Sequence, residues 1–165
     1  MNTQGDLKIK IFLLLFILSC GIKKDRFYTE VYTFDLQRMP LIKPYELITP
    51  RVSDSTTEVH SWHLKLFQPQ PKSYVHHLNI SHVNVSKNII YGHGQDGRTN
   101  FPNYWFIIIP NKNLEKTFNK EEEWKSYLTS VEINSDMTVS VWILFEQFKN
   151  NSTLPWYNPD KNIYP

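Results

Sequence analysis

Six histidines lie close together in the middle of the chain, and they are the first residues whose type and spacing suggest chemistry. They are His60, His63, His76, His77, His82 and His93. Imidazole is a common neutral ligand for zinc and related ions, so the cluster raises the hypothesis of a metal site. On a strand, however, the spacings 60/63 and 76/77 place each pair on opposite faces, so a metal would need histidines from two strands, such as His76 or His82 with His60. We therefore predict partly exposed sheet histidines, with no metal and no other cofactor.

The glycine-rich segment 92–98, GHGQDGR, is the second candidate. Backbone amides in such a loop can bind an anion, but the order of Gly, Lys and Ser/Thr that marks a phosphate loop is missing. His93 and Asp96 could form the acid/base pair of a His-dependent hydrolase, yet no nucleophile motif accompanies them. We predict a reversal between two strands, with glycine supplying positive φ, and no catalytic residues.

Cys20 is the only cysteine in the chain, and it follows a short apolar run at 11–18 that Lys8 and Lys10 precede. Eight apolar residues are too few to cross a hydrocarbon layer, which takes about 20 in a helix. The layout is typical of a secretory signal peptide. We therefore predict that residues 1–19 are removed on export.

Residues 17–20, Ile-Leu-Ser-Cys, resemble the bacterial lipobox, whose cysteine is acylated and becomes the first residue of the mature protein. The alternative is an ordinary signal peptide cleaved nearby. The resemblance implies lasting membrane attachment through lipid on Cys20, because each buried CH₂ contributes about 0.8 kcal/mol. It predicts a lipid-anchored protein of the cell envelope, at the outer membrane, with the periplasmic and the surface face both open.

Length and composition limit the class of protein to which the exported part of the chain can belong. A chain of 165 residues that is 41% hydrophobic and 15% aromatic can bury one core, which argues against wholesale disorder. A net charge of +2 gives no electrostatic footprint for nucleic acid, and one cysteine excludes a disulfide framework within the chain. We predict an acylated N-terminus and tether at 20–35, one domain at 36–154 and a C-terminal tail at 155–165.

Residue patterns predict mostly strands in the middle of the chain. Apolar, β-branched or aromatic runs bounded by turn residues place strands at 59–67, 74–82, 83–91, 104–109 and 115–118. The run at 104–109 is apolar on both faces, which indicates a central strand. Three prolines within 39–50 indicate irregular backbone over the edge of the sheet.

One helix is predicted after residue 119. Asn119 can cap it, and an apolar stripe follows at helical spacing, formed by Trp124, Tyr127, Leu128 and Val131. Alternating apolar residues then predict a long strand at 138–148. Together, these strands and this helix predict an α+β domain with a mostly antiparallel β-sheet and one main helix packed on one face.

Two resemblances bear on function. The segments 40–46, 62–66, 88–92 and 105–108, followed by a Glu-rich helix, resemble small lipoproteins of Bacteroidota, which implies an envelope location without an activity. The layout of 89–128 is similar to small immunity proteins that neutralise toxins. We therefore expect a non-enzymatic binding or accessory module, or alternatively an immunity or inhibitor protein. Trp156 and Tyr157 could contact an unidentified protein partner or pack back on the domain.

Overall fold

The computed structural model describes residues 25–33, 35–50, 62–66, 79–95 and 104–158. The predicted signal peptide, Cys20, Asp96 and three of the histidines (60, 76 and 77) lie outside this part of the chain. The described strands are β1 (Tyr32–Thr33), β2 (Leu36–Pro40), β3 (Tyr45–Pro50), β4 (His63–Leu66), β5 (Asn79–Ser86), β6 (Ile89–Gln95), β7 (Tyr104–Ile109), β8 (Leu114–Phe118) and β9 (Val139–Ser140). The described helices are α1 (Arg26–Thr29), α2 (Glu121–Ser130) and α3 (Val141–Asn151), with 3₁₀ turns at Pro110–Lys112 and Ser135–Met137.

These strands form one antiparallel sheet in which neighbours along the chain are neighbours in space. The order runs from β1 to β8, and β9 pairs with β5 at His82 and Val83. A hydrogen bond between distant strands shows that the sheet is curled. The Tyr45 hydroxyl on β3 donates to the Glu115 carboxylate on β8 at 3.1 Å. In a flat sheet those strands, five positions apart, would be separated by about 24 Å. The predicted α+β fold with a mostly antiparallel sheet is confirmed.

Helix α2 covers one face of the sheet, as its apolar stripe predicts. Trp124 and Leu128 are buried against β6 and β7, and the Trp124 indole N–H donates to the Phe106 carbonyl at 3.1 Å. The predicted Asn119 cap is wrong, since Lys120 precedes the first turn and makes no side-chain capping bond. The three glutamates that open the helix instead place negative charge at the positive end of its dipole.

Helix α3 covers the opposite face and corrects the strand predicted at 138–148. The valines, the isoleucine and the first phenylalanine of that segment occupy every second position, as in a strand. A second apolar set in the same segment occupies positions i, i+3, i+4 and i+7, as on one face of a helix. This second set is Val141, Leu144, Phe145 and Phe148, and all four are buried in the larger core. The tertiary burial of that stripe selects the helix, and the strand is reduced to the two residues of β9. The described part of the domain therefore has two main helices, one on each face.

The proline-rich segment 39–50 is a β-hairpin rather than irregular backbone. β2 and β3 pair through five residues each, from Leu36 opposite Pro50 to Pro40 opposite Glu46. Two prolines stand at strand ends, and Pro44, after a cis peptide bond, stands in the turn. No central position of the hairpin therefore loses a backbone donor.

The reversal predicted at 92–98, between the strands at 83–91 and 104–109, cannot begin at 92, because β6 continues to Gln95; the rest of the connection to β7 lies outside the described residues. β5 and β6 turn at Lys87 and Asn88, whose φ angles of 51° and 59° are those of a tight hairpin turn. Gly92 and Gly94 lie inside β6 and have no positive φ. They are required by close approach: a Cβ at Gly94 would lie 2.0 Å from the Asn79 carbonyl oxygen, and one at Gly92 would lie 2.1 Å from that of His82.

Both ends of the described chain join the larger core. Phe27 and Tyr28, predicted to belong to a tether, are buried, and the Tyr28 ring stacks on Tyr157 at 4.7 Å. Trp156, in the predicted tail, is 4% exposed and donates its indole N–H to the Pro40 carbonyl at 3.3 Å. Trp156 and Tyr157 therefore pack back on the domain, which is the second of the two alternatives that the sequence leaves open, rather than standing exposed for a protein partner. The folded body extends beyond the predicted limits of 36 and 154 on both sides.

Candidate functional site

A row of ring side chains crosses four strands on the α2 side of the sheet. The strand register places His82 opposite His93, His93 opposite Trp105, and Trp105 opposite Phe118. We call these four residues the ring row. His82, His93 and Trp105 are half-buried and Phe118 is buried. The three half-buried members of the row therefore form the part of this face that α2 leaves partly open.

A β-bulge sets the end of the ring row. The pairing of β5 with β6 shifts between Ile80 and His82, so that Ser81 is an extra residue. A bulge places two successive residues on the same side of a strand, and Ser81 and His82 consequently share one face. The rings of His82 and His93 stack with centroids 4.5 Å apart and planes inclined by 16°.

The Ser81 hydroxyl bridges the two imidazoles. Its oxygen lies 3.3 Å from Nδ1 of His82 and 3.4 Å from Nδ1 of His93, and it donates to the His93 carbonyl at 3.2 Å. A hydroxyl has one proton and two lone pairs, so both imidazoles can donate from Nδ1 to Ser81. In that arrangement each ring keeps its basic nitrogen at Nε2, on the side away from Ser81.

The His93 imidazole is biased toward its neutral form. Partial burial lowers its pKa first, and the adjacent His82 lowers the pKa further, while the Glu121 carboxylate at the start of α2 raises it. Desolvation and a neighbouring positive charge both disfavour a second imidazolium. At neutral pH the His93 imidazole therefore offers a proton acceptor rather than a positive charge.

The stacked geometry does not suit chelation of one metal ion. A metal binds imidazole nitrogen in the plane of the ring at about 2.0–2.1 Å. Two stacked planes inclined by 16° do not meet at that distance from both rings. Among the described residues no group of three His, Cys, Asp or Glu side chains could hold a metal.

Hydrolytic chemistry also lacks a positioned nucleophile in the described part of the site. Ser81 gives its one proton to a backbone carbonyl, so it is not activated by either histidine. The predicted partner of His93, Asp96, lies outside the described residues. His63, on β4 opposite Asn79, stands apart from the stacked pair in the register of the sheet.

Sequence reasoning missed Ser81 and the pairing of His82 with His93. Cross-strand histidine pairs are the right kind of inference, but the predicted strands 74–82 and 83–91 meet at His82, whereas the turn lies further along the chain, at Lys87 and Asn88. The signal that could have found the pair is the alternation of apolar residues after Asn79, with Asn88 as a turn residue.

Comparison with known proteins finds no match to a family model, a curated protein or a solved structure. Among the helices of the described chain, none is long and apolar enough to span a membrane.

Proposed function

We propose that this chain is a lipid-anchored lipoprotein of the bacterial cell envelope, whose domain is a non-enzymatic binding or accessory module. The observation that carries the proposal is the lipobox-like motif at residues 17–20, which follows a basic and then an apolar segment and stands just before the folded body. Acylation at Cys20 would tether an α+β domain at an outer membrane.

The folded body begins close to the proposed attachment point. The Asp25 carboxylate accepts a hydrogen bond from the Phe27 backbone N–H at 3.0 Å and caps α1. From Cys20 to Asp25 the chain advances five residues, which reach about 18 Å when fully extended. The proposed anchor therefore keeps the domain near the bilayer surface.

The same end of the domain is fixed firmly to the core. The buried Arg38 guanidinium on β2 donates to the Phe27 carbonyl at 3.1 Å and pairs with the buried Glu46 carboxylate at 2.5–2.7 Å. Lys43 forms an ion pair with Asp25 at the hairpin turn. A force applied at residue 25 would thus be transmitted directly to β2 and β3.

The ring row supports binding as the task of the domain. Tryptophan is one of the residue types that contribute most to the binding energy of protein interfaces. Trp105 and His93 are half-buried and neighbouring, and they lie on the face that carries the smaller apolar cluster. This observation favours one second candidate, an immunity or inhibitor protein that binds a toxin through the ring row.

Metabolic labelling with a palmitate analogue in an expressing bacterial host tests the anchor. We expect label on the wild-type chain and on the matched control Gly21→Ala, and none on Cys20→Ala, which should also leave the membrane fraction. An unlabelled wild-type chain, or a Cys20→Ala chain labelled as strongly, would contradict lipid attachment.

A pull-down with the full chain tests the binding role. Trp105→Ala should lose a partner that the wild-type chain and the control Trp142→Ala retain, because Trp142 lies on α3 outside the ring row. Retention of the same partner by Trp105→Ala would contradict the assignment of the ring row, without bearing on the lipid anchor.

A further inference from the structure

The stacked imidazoles stand where three strands meet. The backbone of His82 pairs with His93 on β6 and with Ser140 on β9. β9 is only two residues long and runs directly into α3, so these pairings fix where the helix begins. The bulge at Ser81 interrupts the β5–β6 ladder at this same point.

From this geometry we propose that the stacked His82–His93 pair is an acid-sensitive latch that holds β9, and with it the first turn of α3, against β5. The pair is intact while both rings are neutral. When both are protonated, two positive charges would lie at the separation of stacked rings, with centroids 4.5 Å apart, and they repel each other.

The surroundings of the pair offer little to offset that repulsion. Trp105 on β7 and the two residues of β9 bring no charge. The Glu121 carboxylate, at the start of α2, is the acidic group that acts on His93 in the described part of the chain. One carboxylate can balance one imidazolium, so among the described residues the second positive charge has no matching carboxylate.

The backbone restricts how the repulsion can be relieved. β5 already presses on Gly92, where even a Cβ would lie 2.1 Å from the His82 carbonyl oxygen. The strands cannot approach further, so when the rings separate, β5 is displaced from β6 toward β9 on its other edge, which disturbs its two-residue pairing with β9. The exposed Ile143 on the first turn of α3 would then shift with the helix. This device is independent of the lipid attachment proposed above.

Amide hydrogen exchange of the full chain at pH 7.5 and pH 5.0 tests the latch, with each rate expressed relative to the unfolded chain at the same pH. We expect protection at 139–143 to fall about tenfold at pH 5.0 in the wild type, while 106–109 stay protected. His82→Phe keeps a ring without a titrating group and should lose this response. His63→Phe, which removes a histidine outside the pair, should keep it.

Three results would overturn the latch. They are equal protection of 139–143 at both pH values in the wild type, an undiminished acid response in His82→Phe, and an equal loss at 106–109, which would mean global unfolding. If His82→Phe does not fold, His82→Gln takes its place. In addition, an NMR titration of the wild type should show the two imidazoles titrating in coupled steps, and independent titration would contradict the latch.

Discussion

The two faces of the sheet differ in how completely they are covered. On the α3 face, 22 buried apolar and aromatic residues of the described chain form one cluster that includes both of its ends. On the α2 face, the buried cluster has eight residues and ends at the ring row. The larger cluster is suited to hold the fold together and to fix the segment that leads to the proposed anchor. The smaller cluster leaves side chains available for contact.

The largest expected effect is a difference in stability between variants on the two faces. Phe148→Ala removes a fully buried ring of the α3 face and should lower the free energy of unfolding by about 3–5 kcal/mol. Tyr127→Ala, on the α2 face, removes a half-buried ring that contacts Phe118 and should cost about 1 kcal/mol. Chemical denaturation of both variants measures the difference, and equal losses would break the comparison.

The buried ion pair on β2 and β3 gives the next effect. Arg38→Met leaves the Glu46 carboxylate buried without its partner and should cost about 3–5 kcal/mol. The double variant Arg38→Met/Glu46→Leu should recover most of that loss. Arg26→Ala breaks an exposed pair with Glu30 and should cost less than about 1 kcal/mol. A double variant as unstable as Arg38→Met would argue against a simple charge effect.

Substitution of a glycine tests the close approach of β5 and β6. Gly94→Ala forces a Cβ against the Asn79 backbone and should destabilise the fold by about 1–3 kcal/mol. If glycine were required for a turn, as the sequence suggests, alanine would cost a similar free energy for another reason, because it would be strained at a positive φ. Because φ is negative at Gly94, a crystal structure of the variant should show displaced strands with unchanged φ at 94.

The smallest expected effect is a pH dependence from the ring row. His93 has a lowered pKa in the fold, so the folded protein binds fewer protons than the unfolded chain below the ordinary imidazole value of about 6.5. The free energy of unfolding should therefore fall as pH drops through the window between that value and the lower folded pKa. Denaturation of His93→Gln across pH 7.5–5.0 should show a shallower decline, and an unchanged decline would contradict this assignment.

Local patterns predicted the elements whose burial follows their own periodicity. β7 has the predicted limits, β8 is one residue longer, and α2 buries the predicted stripe. α3 was missed because Val139, Val141, Ile143 and Phe145 alternate like a strand, while the same segment also carries a helical stripe, and only the neighbouring sheet decides between them.

The candidate site was less predictable for a different reason. The stack of His82 on His93 depends on strand register and on the Ser81 bulge, which depend in turn on β5 passing closely over Gly92 and Gly94. Such an approach is a property of two strands together. A glycine in the sequence indicates either positive φ or missing space, and the sequence of one strand does not distinguish these causes.

The mass of the mature chain, extracted from membranes of an expressing bacterial host, tests the central claim most directly. The account predicts a chain that begins at Cys20 and carries the added mass of acyl groups on that residue. A chain that keeps residues 1–19, or that begins at another residue without added acyl mass, would contradict it.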